Sequence, residues 1–183
     1  MGALEVHQLA FRHAGGRQLF DDVSFRVGDG EHVALVGANG TGKTTLVRLV
    51  AGDEVGATGT IRVDGRLGVM RQFIGSVRDG TTVRDLLTSL SPAPIREGAA
   101  RLAAAEQAAA DDPTDRNGMR LAEGWAHWGD VGGYDAEVLW DVCTMAALRR
   151  PLAEAGDRRV AELSGGEQKR LALEALLRGT DDV

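Results

Sequence analysis

The spacing of apolar residues along this chain changes near residue 82. Before that point, apolar and polar residues alternate in short runs, which is typical of half-buried strands. The dipeptide Asp64-Gly65 separates two of these runs and predicts a β-hairpin with a two-residue turn. We therefore expect a first part rich in strands, at residues 4–9, 23–27, 31–36, 60–63 and 66–70.

After residue 82, the pattern is that of amphipathic and alanine-rich helices. A helix that begins at Val83 is broken by Pro92 and Pro94, and a second helix is expected at residues 99–110. Thr114 is a suitable N-cap for a third helix, and a fourth is expected at residues 138–148. The apolar stripe predicted for the third helix consists of Met119, Leu121, Ala122, Trp125 and Trp128.

Composition narrows the classes of protein that the chain can represent. Hydrophobic residues make up 43% of its 183 residues, and no apolar run reaches the roughly 20 residues that span a bilayer. The formal net charge of −6 argues against a basic, DNA-binding surface. Cys143 is the single cysteine and lies among apolar residues, so we expect a buried thiol and no internal disulfide. These features favour a cytoplasmic protein without a membrane span and without a DNA partner.

A glycine-rich run between a predicted strand and a predicted helix carries the strongest chemical signal. Residues 37–44 fit the pattern G-x-x-x-x-G-K-[ST] at every fixed position. Glycines let successive backbone N–H groups point at one anion, and the helix from Lys43 adds the positive end of its dipole. Lys43 is expected to reach the β- and γ-phosphates of a nucleotide, and the Thr44 hydroxyl to ligate Mg²⁺. The predicted nucleotide contacts are Gly37, Ala38, Asn39, Gly40, Thr41, Gly42, Lys43, Thr44 and Thr45.

A second run, residues 163–170, predicts another helix N-terminus with exposed backbone amides. Ser164 is a suitable N-cap, and Glu167 three residues later completes the pattern of a capping box. Gly165 and Gly166 leave the first N–H groups of the helix without a covering side chain. Taken alone, such a run is more often an ordinary helix start than a binding site. Its occurrence downstream of a phosphate loop favours a second anion site.

The order of these features resembles that of an ABC-type ATPase domain. The resemblance rests on the phosphate loop, on Gln72 after the predicted hairpin, on the helical segment and on the run from Leu163 to Arg170. It implies ATP and Mg²⁺ as ligands, with Thr44 and Gln72 near the metal ion. It also implies that Gln72 positions the attacking water. The alternative for Gln72 is an exposed residue at the end of a strand.

The resemblance further implies contacts to the base of the nucleotide and to a facing domain. His13 occupies the position of the adenine-stacking aromatic residue, while Phe11 either stacks instead or packs into the core. The signature residues of such domains touch the ATP that is bound by a second ABC ATPase domain. On this chain, those residues are Ser164, Gly165, Gly166 and Glu167.

Within the superfamily, three features resemble the ABC-F class: Glu167 in the signature, Gly75 after Gln72, and the segment 128–135. Members of this class are soluble, carry two ATPase domains in one chain, and many act on the ribosome in translation or antibiotic resistance. The alternatives are the ATPase subunit of a membrane transporter and a nucleotide-binding module that does not hydrolyse ATP.

The expected fold is an α/β P-loop NTPase of the ABC-ATPase type, in which only part of the domain is represented. Residues 1–82 are assigned to an antiparallel β subdomain and the P-loop core, residues 83–160 to an inserted helical subdomain, and residues 161–183 to the signature motif and its helix. In the family, the strand that bears the Mg²⁺-organising Asp and the catalytic Glu would begin near residues 181–183. Since phosphoryl transfer depends on such charge neutralisation, we expect this stretch alone to hydrolyse ATP poorly.

Overall fold

A computed structural model describes residues 2–13, 15–70 and 79–179. The described residues form two compact units, which divide between Val69 and Met70. The first unit contains strands and one helix, and the second is helical throughout. The mixed α/β architecture expected from the sequence is confirmed, whereas the predicted subdomain boundaries at residues 82 and 160 remain predictions.

The first unit is built around strand β1, Ala3–Arg12. Strands β2, Gln18–Val27, and β3, Thr58–Asp64, pair with β1 on its two sides, both antiparallel. Helix α1, Lys43–Val50, contributes Leu46 and Leu49 to the core beneath this sheet. The β1 residues that fill that core are Leu4, Val6, Leu9 and Phe11.

A bulge in β1 explains why its core residues do not keep a strict period of two. Val6 and Leu9 are three apart, and the pairing register shifts between them. Gln8 lies in this interval with a φ of 48°, and its N–H donates to Ser24 Oγ at 2.8 Å. Across the sheet, a Cβ on Gly59 would overlap the Gln8 carbonyl, so this position of β3 requires glycine.

Two of the predicted strands are not formed. Residues 31–36 are not a strand, and Val36 is 85% exposed. Apolar runs of this kind form strands when neighbouring strands satisfy their backbone groups; among the described residues, the three strands pair only with one another. The hairpin at Asp64-Gly65 was also wrong, because β3 pairs with β1 and residues 66–70 form no strand.

The second unit contains the helices expected from the periodicity, together with short turns. The helix expected at residues 99–110 begins earlier, at Ala93. Pro94 lies in its first turn, where proline is tolerated. Thr114 Oγ1 accepts from the Asn117 N–H, as its prediction as an N-cap requires. In chain order, the elements are α2 Val83–Leu90, α3 Ala93–Asp111, α4 Asp115–Asp130, α5 Gly133–Leu148, α6 Leu152–Ala155, a 3₁₀ turn Val160–Glu162, and α7 Gly165–Arg178.

The core of the second unit forms around Trp128, Trp140 and Cys143. Burial raises the pKa of the Cys143 thiol, as expected for a structural cysteine. The stripe predicted on α4 is only partly buried. Met119 is 67% exposed, and Trp125 instead stacks on Tyr134 of α5, with ring centroids 6.5 Å apart. The stripe was wrong at these two positions and at Ala122, which is also exposed, because α3 and α5 cover a narrower face of α4, on which Gly124 and Trp128 are buried.

Gly133, at the start of α5, lies against the Trp128 ring, and a Cβ there would overlap the indole. We expect Gly133→Ala to lower the free energy of unfolding by about 1–3 kcal/mol, since the packed ring must move. Urea denaturation followed by circular dichroism measures this change. Gly118→Ala in α4 is the matched control, because no atom lies within 4 Å of its Cβ position. The free energy of unfolding of that control is expected to rise by up to about 1 kcal/mol. Equal effects of the two variants would contradict the packing of Gly133 against the Trp128 ring.

Candidate functional site

The phosphate loop is an exposed turn that leads directly into α1. Gly40 and Gly42 have φ values of 82° and 96°, in the left-handed region that favours glycine. A Cβ on Gly42 would lie 2.8 Å from the Leu19 side chain and 3.0 Å from that of Phe20, both on β2. Thr41 Oγ1 donates to the Ala38 carbonyl at 2.9 Å and closes the turn. Glycine at position 42 is therefore required by conformation and by packing at once.

Lys43 is folded back over this loop. Its Nζ donates to the Gly37 carbonyl and to the Ala38 carbonyl, each at 2.7 Å. An ammonium group has three protons, and no third acceptor for it occurs among the described residues. The side chain is thus fixed across the mouth of the loop, where an anion that the loop amides bind would meet its charge.

The first turn of α1 is open to an anion. Its N-cap is Gly42, which has no side chain to cap the first N–H groups, and the first turn holds no acidic residue. The first backbone bond of the helix runs from the Leu46 N–H to the Gly42 carbonyl at 2.8 Å, so the amides of residues 43–45 precede it. Together with the fixed ammonium group, these amides fit a nucleotide phosphate.

One described residue at the same helix end, Thr44, could ligate Mg²⁺. Thr44 is exposed at the second helical position, with its hydroxyl free to ligate a metal ion that a phosphate also binds. Within the described ranges, no group of three or more His, Cys, Asp or Glu could hold a metal ion. A magnesium ion bound beside Thr44 would supply charge neutralisation at the phosphates. Gln72, the second predicted ligand and the predicted water-positioning residue, lies outside the described residues.

The two candidates for adenine stacking are in different environments. Phe11 is 7% exposed, belongs to the core of the first unit and packs against Phe20 with ring centroids 6.1 Å apart. His13 is exposed after the end of β1, and its ring forms a T-shaped pair with that of Phe11, with centroids 5.5 Å apart. Since Phe11 is buried and His13 is exposed, His13 remains the candidate of the two for contact with a base.

The signature run forms the capping box that its residues predict. The Ser164 hydroxyl accepts from the Glu167 N–H at 3.3 Å. In return, Glu167 Oε2 accepts from the Ser164 N–H at 2.8 Å and from the Ser164 hydroxyl at 2.7 Å. These bonds hold the pKa of the Glu167 carboxyl below its ordinary value. Gly166 is exposed, and a Cβ there would meet no other side chain within 4 Å, so no neighbouring side chain covers this position in the first turn of α7.

Sequence reasoning missed Gln168, which follows the capping box. Its side chain is fully buried, and its amide nitrogen donates to the Val160 carbonyl at 2.9 Å and to the Leu163 carbonyl at 3.2 Å. The apolar residues Leu171 and Ala172 lie on the same buried face of α7 as Gln168, and this spacing is the signal from which its burial could have been predicted. The sequence does not show which carbonyls the amide would reach.

The segment before the signature is also joined to the start of α2. The Val160 N–H donates to the Thr81 carbonyl and the Val83 N–H donates to the Arg158 carbonyl, both at 2.9 Å. Thr82 and Arg159 form an antiparallel bridge between these two bonds. At the far end of α7, Glu174 pairs with Arg178, one turn further along the helix, at 2.7 Å. The signature loop is therefore held by backbone bonds on one side and by its own helix on the other.

Comparison with known proteins places these two motifs in one family. A family profile described as ABC transporter matches residues 20–183, which is most of the chain. The chain belongs to the ABC transporter family. It carries the ATP-binding domain of that family, and its resemblance to ABC-type ATPases, predicted from the motifs, is confirmed.

Two curated relatives extend over nearly the whole chain. An antibiotic resistance protein of Mycobacteroides abscessus is 49% identical over 183 residues, which are 100% of this chain and 33% of that protein. A tylosin resistance ATP-binding protein of Streptomyces fradiae is 33% identical over 180 residues, 95% of this chain and 32% of that protein. The chain thus spans about a third of the length of these two relatives.

A solved structure supports the fold. It is described as an inward-facing conformation of a metal-chelate type ABC transporter, with a TM-score of 0.58 and 19% identity. The match covers 99% of this chain and 58% of that one. Among the described residues of this protein, no helix has the length and apolar character to cross a membrane.

The lowered pKa of Glu167 gives α7 a pH-dependent contribution to stability. Since the pKa is lower in the folded chain, this contribution is complete above the ordinary glutamate pKa of about 4.3 and is lost as the pH falls through the folded value. We expect Glu167→Gln to lower the free energy of unfolding by about 0.3–1 kcal/mol at neutral pH, and by less below about pH 4. Urea midpoints of both proteins across this pH range test it.

Glu174→Gln is the matched control for this prediction, because Glu174 lies near the opposite end of the same helix. A cost of Glu167→Gln that stayed constant from neutral to acidic pH would contradict a charge-assisted cap.

Proposed function

We propose that this chain binds Mg-ATP through residues 37–45 and presents residues 164–167 to the ATP of a facing ABC ATPase domain. The observation that carries the first part is the uncapped first turn of α1 beneath a fixed ammonium group. The loop amides bind and orient the phosphates, and Lys43 neutralises their charge. Thr44 holds the magnesium ion, with Gln72 as a second contact, and His13 lies beside the base.

The proposed cellular role is that of the ABC-F class. Its members act on the ribosome in the cytoplasm, where they couple ATP hydrolysis to translation or antibiotic resistance. Support comes from Glu167 in the signature and from the two resistance proteins that match nearly the whole chain.

A transporter role is the second candidate. A cytochrome c biogenesis ATP-binding export protein of Rhodopseudomonas palustris is 29% identical over 89% of this chain, which covers 64% of that protein. A subunit of this kind would bind Mg-ATP in the same way and would pair with a membrane permease. The partner, rather than the nucleotide site, separates the two candidates. A nucleotide-binding module without hydrolysis is the third candidate.

Lys43 and Lys169 are the two lysines of the chain, which allows a matched test of nucleotide binding. We expect Lys43→Ala to weaken Mg-ATP binding by about tenfold to a hundredfold, because charge-assisted hydrogen bonds to the phosphates are lost. Lys169→Ala removes the same charge from an exposed position on α7 and is expected to leave the affinity unchanged. Isothermal titration calorimetry measures both. Equal affinities for the two variants would contradict the proposed site.

The partner is tested by copurification from cells that express the tagged protein. We expect the protein to cosediment with ribosomes when ATP is present and to lose this association in Lys43→Ala. Copurification with a membrane permease, without ribosomes, would instead support the transporter role.

A further inference from the structure

The side chain of Gln168 has an unusual position for a polar group. It is fully buried in the core of the helical unit. Among the described polar residues, Thr144 is the other one that is fully buried. Burying an amide costs free energy unless its hydrogen-bonding groups find partners. Both carbonyls that its NH₂ group meets lie in the segment immediately before the signature, at Val160 and Leu163.

The bond to Leu163 has a consequence for the next residue. The Leu163 carbonyl and the Ser164 N–H belong to one planar peptide group, so fixing one end fixes the orientation of the other. Gln168 holds the carbonyl end at 3.2 Å, and Glu167 Oε2 holds the N–H end at 2.8 Å. Two consecutive side chains of α7 therefore clamp the peptide group from which Ser164 projects.

We propose that Gln168 is a positioning residue, which fixes the Leu163–Ser164 peptide group and thereby orients the Gly165 and Gly166 amides that follow it towards the phosphates of a facing nucleotide. This assignment rests on the proposed function of the signature. Gln168 itself touches no nucleotide, because its amide is buried against the Val160 and Leu163 carbonyls. Its contribution is to hold the donors in one arrangement before the ligand arrives, which reduces the ordering that binding requires.

The bond to Val160 extends this clamp to the 3₁₀ turn. The Val160 carbonyl also accepts from the Leu163 N–H at 3.0 Å, and the Val160 N–H donates to the Thr81 carbonyl. The turn is thus tied to α2 by its backbone and to α7 by the Gln168 side chain. Removing the amide donor would break both of the bonds that Gln168 donates while the backbone bonds to α2 remain, so the expected effect is local and can be told apart from general unfolding.

The first experiment uses Gln168→Met, which keeps the length of the side chain but has no amide donor. Thr144→Val is the matched control: it removes another fully buried donor, whose partner is the Asp141 carbonyl at 3.0 Å within α5. Amide hydrogen exchange by NMR is measured without nucleotide. We expect the Ser164 N–H to exchange about threefold to tenfold faster in Gln168→Met than in Thr144→Val, with shifted Gly165 and Gly166 signals. Equal Ser164 exchange in the two variants would overturn the assignment.

The second experiment measures the pairing of two chains by sedimentation velocity in the presence of Mg-ATP. Gln168→Met is expected to weaken this pairing at least threefold, as is Ser164→Ala, while Thr144→Val is expected to leave it unchanged. Parent-like pairing of Gln168→Met would overturn the positioning role. If the parent protein does not bind Mg-ATP, the proposed function is overturned instead. The exchange measurement would still decide whether Gln168 holds the Leu163–Ser164 peptide group.

Discussion

The unpaired amide groups in the first turn of a helix are the constraint on which both motifs of this protein depend. A helix cannot satisfy these N–H groups internally, so side chains, water or a ligand must accept from them. Helix α1 leaves them open, since its N-cap is Gly42 and its first turn has no acidic residue. Helix α7 satisfies part of them with its own Ser164 and Glu167. The same backbone physics thus yields an open anion site on one helix and a partly closed one on the other.

This difference sets what each helix can do with a phosphate. At α1, the Lys43 ammonium is held by two carbonyls of the loop, so positive charge and free amides coincide at an exposed turn. At α7, the hydroxyl and N–H of Ser164 both donate to one carboxylate oxygen, and Gln168 holds the other end of the Ser164 peptide group. The donors of α7 are therefore oriented by neighbouring side chains, which is the preorganisation that recognition across an interface requires.

Local signals in the sequence predicted most of the helical unit and the caps of two of its helices. The caps at Thr114 and Ser164 depend on residues three positions apart, and such contacts form wherever the helix forms. Predictions that required a distant partner did less well. Residues 31–36 have the composition of a buried strand, yet a strand forms only beside another strand, and none of the three described strands pairs with this segment. The predicted hairpin at Asp64-Gly65 was wrong because residues 66–70 form no strand, and β3 pairs with the distant β1 instead.

The sequence by itself determined the family, the nucleotide loop and the capping of α7, because each depends on residue types at short, fixed spacings. The tertiary structure alone decided which aromatic side chain is available near β1: packing against Phe20 buries Phe11 and leaves His13 exposed. It also decided that the Gln168 amide lies against the Val160 and Leu163 carbonyls. Periodicity shows that a residue faces the core. The partner that it meets there depends on how the 3₁₀ turn packs against the first turn of α7.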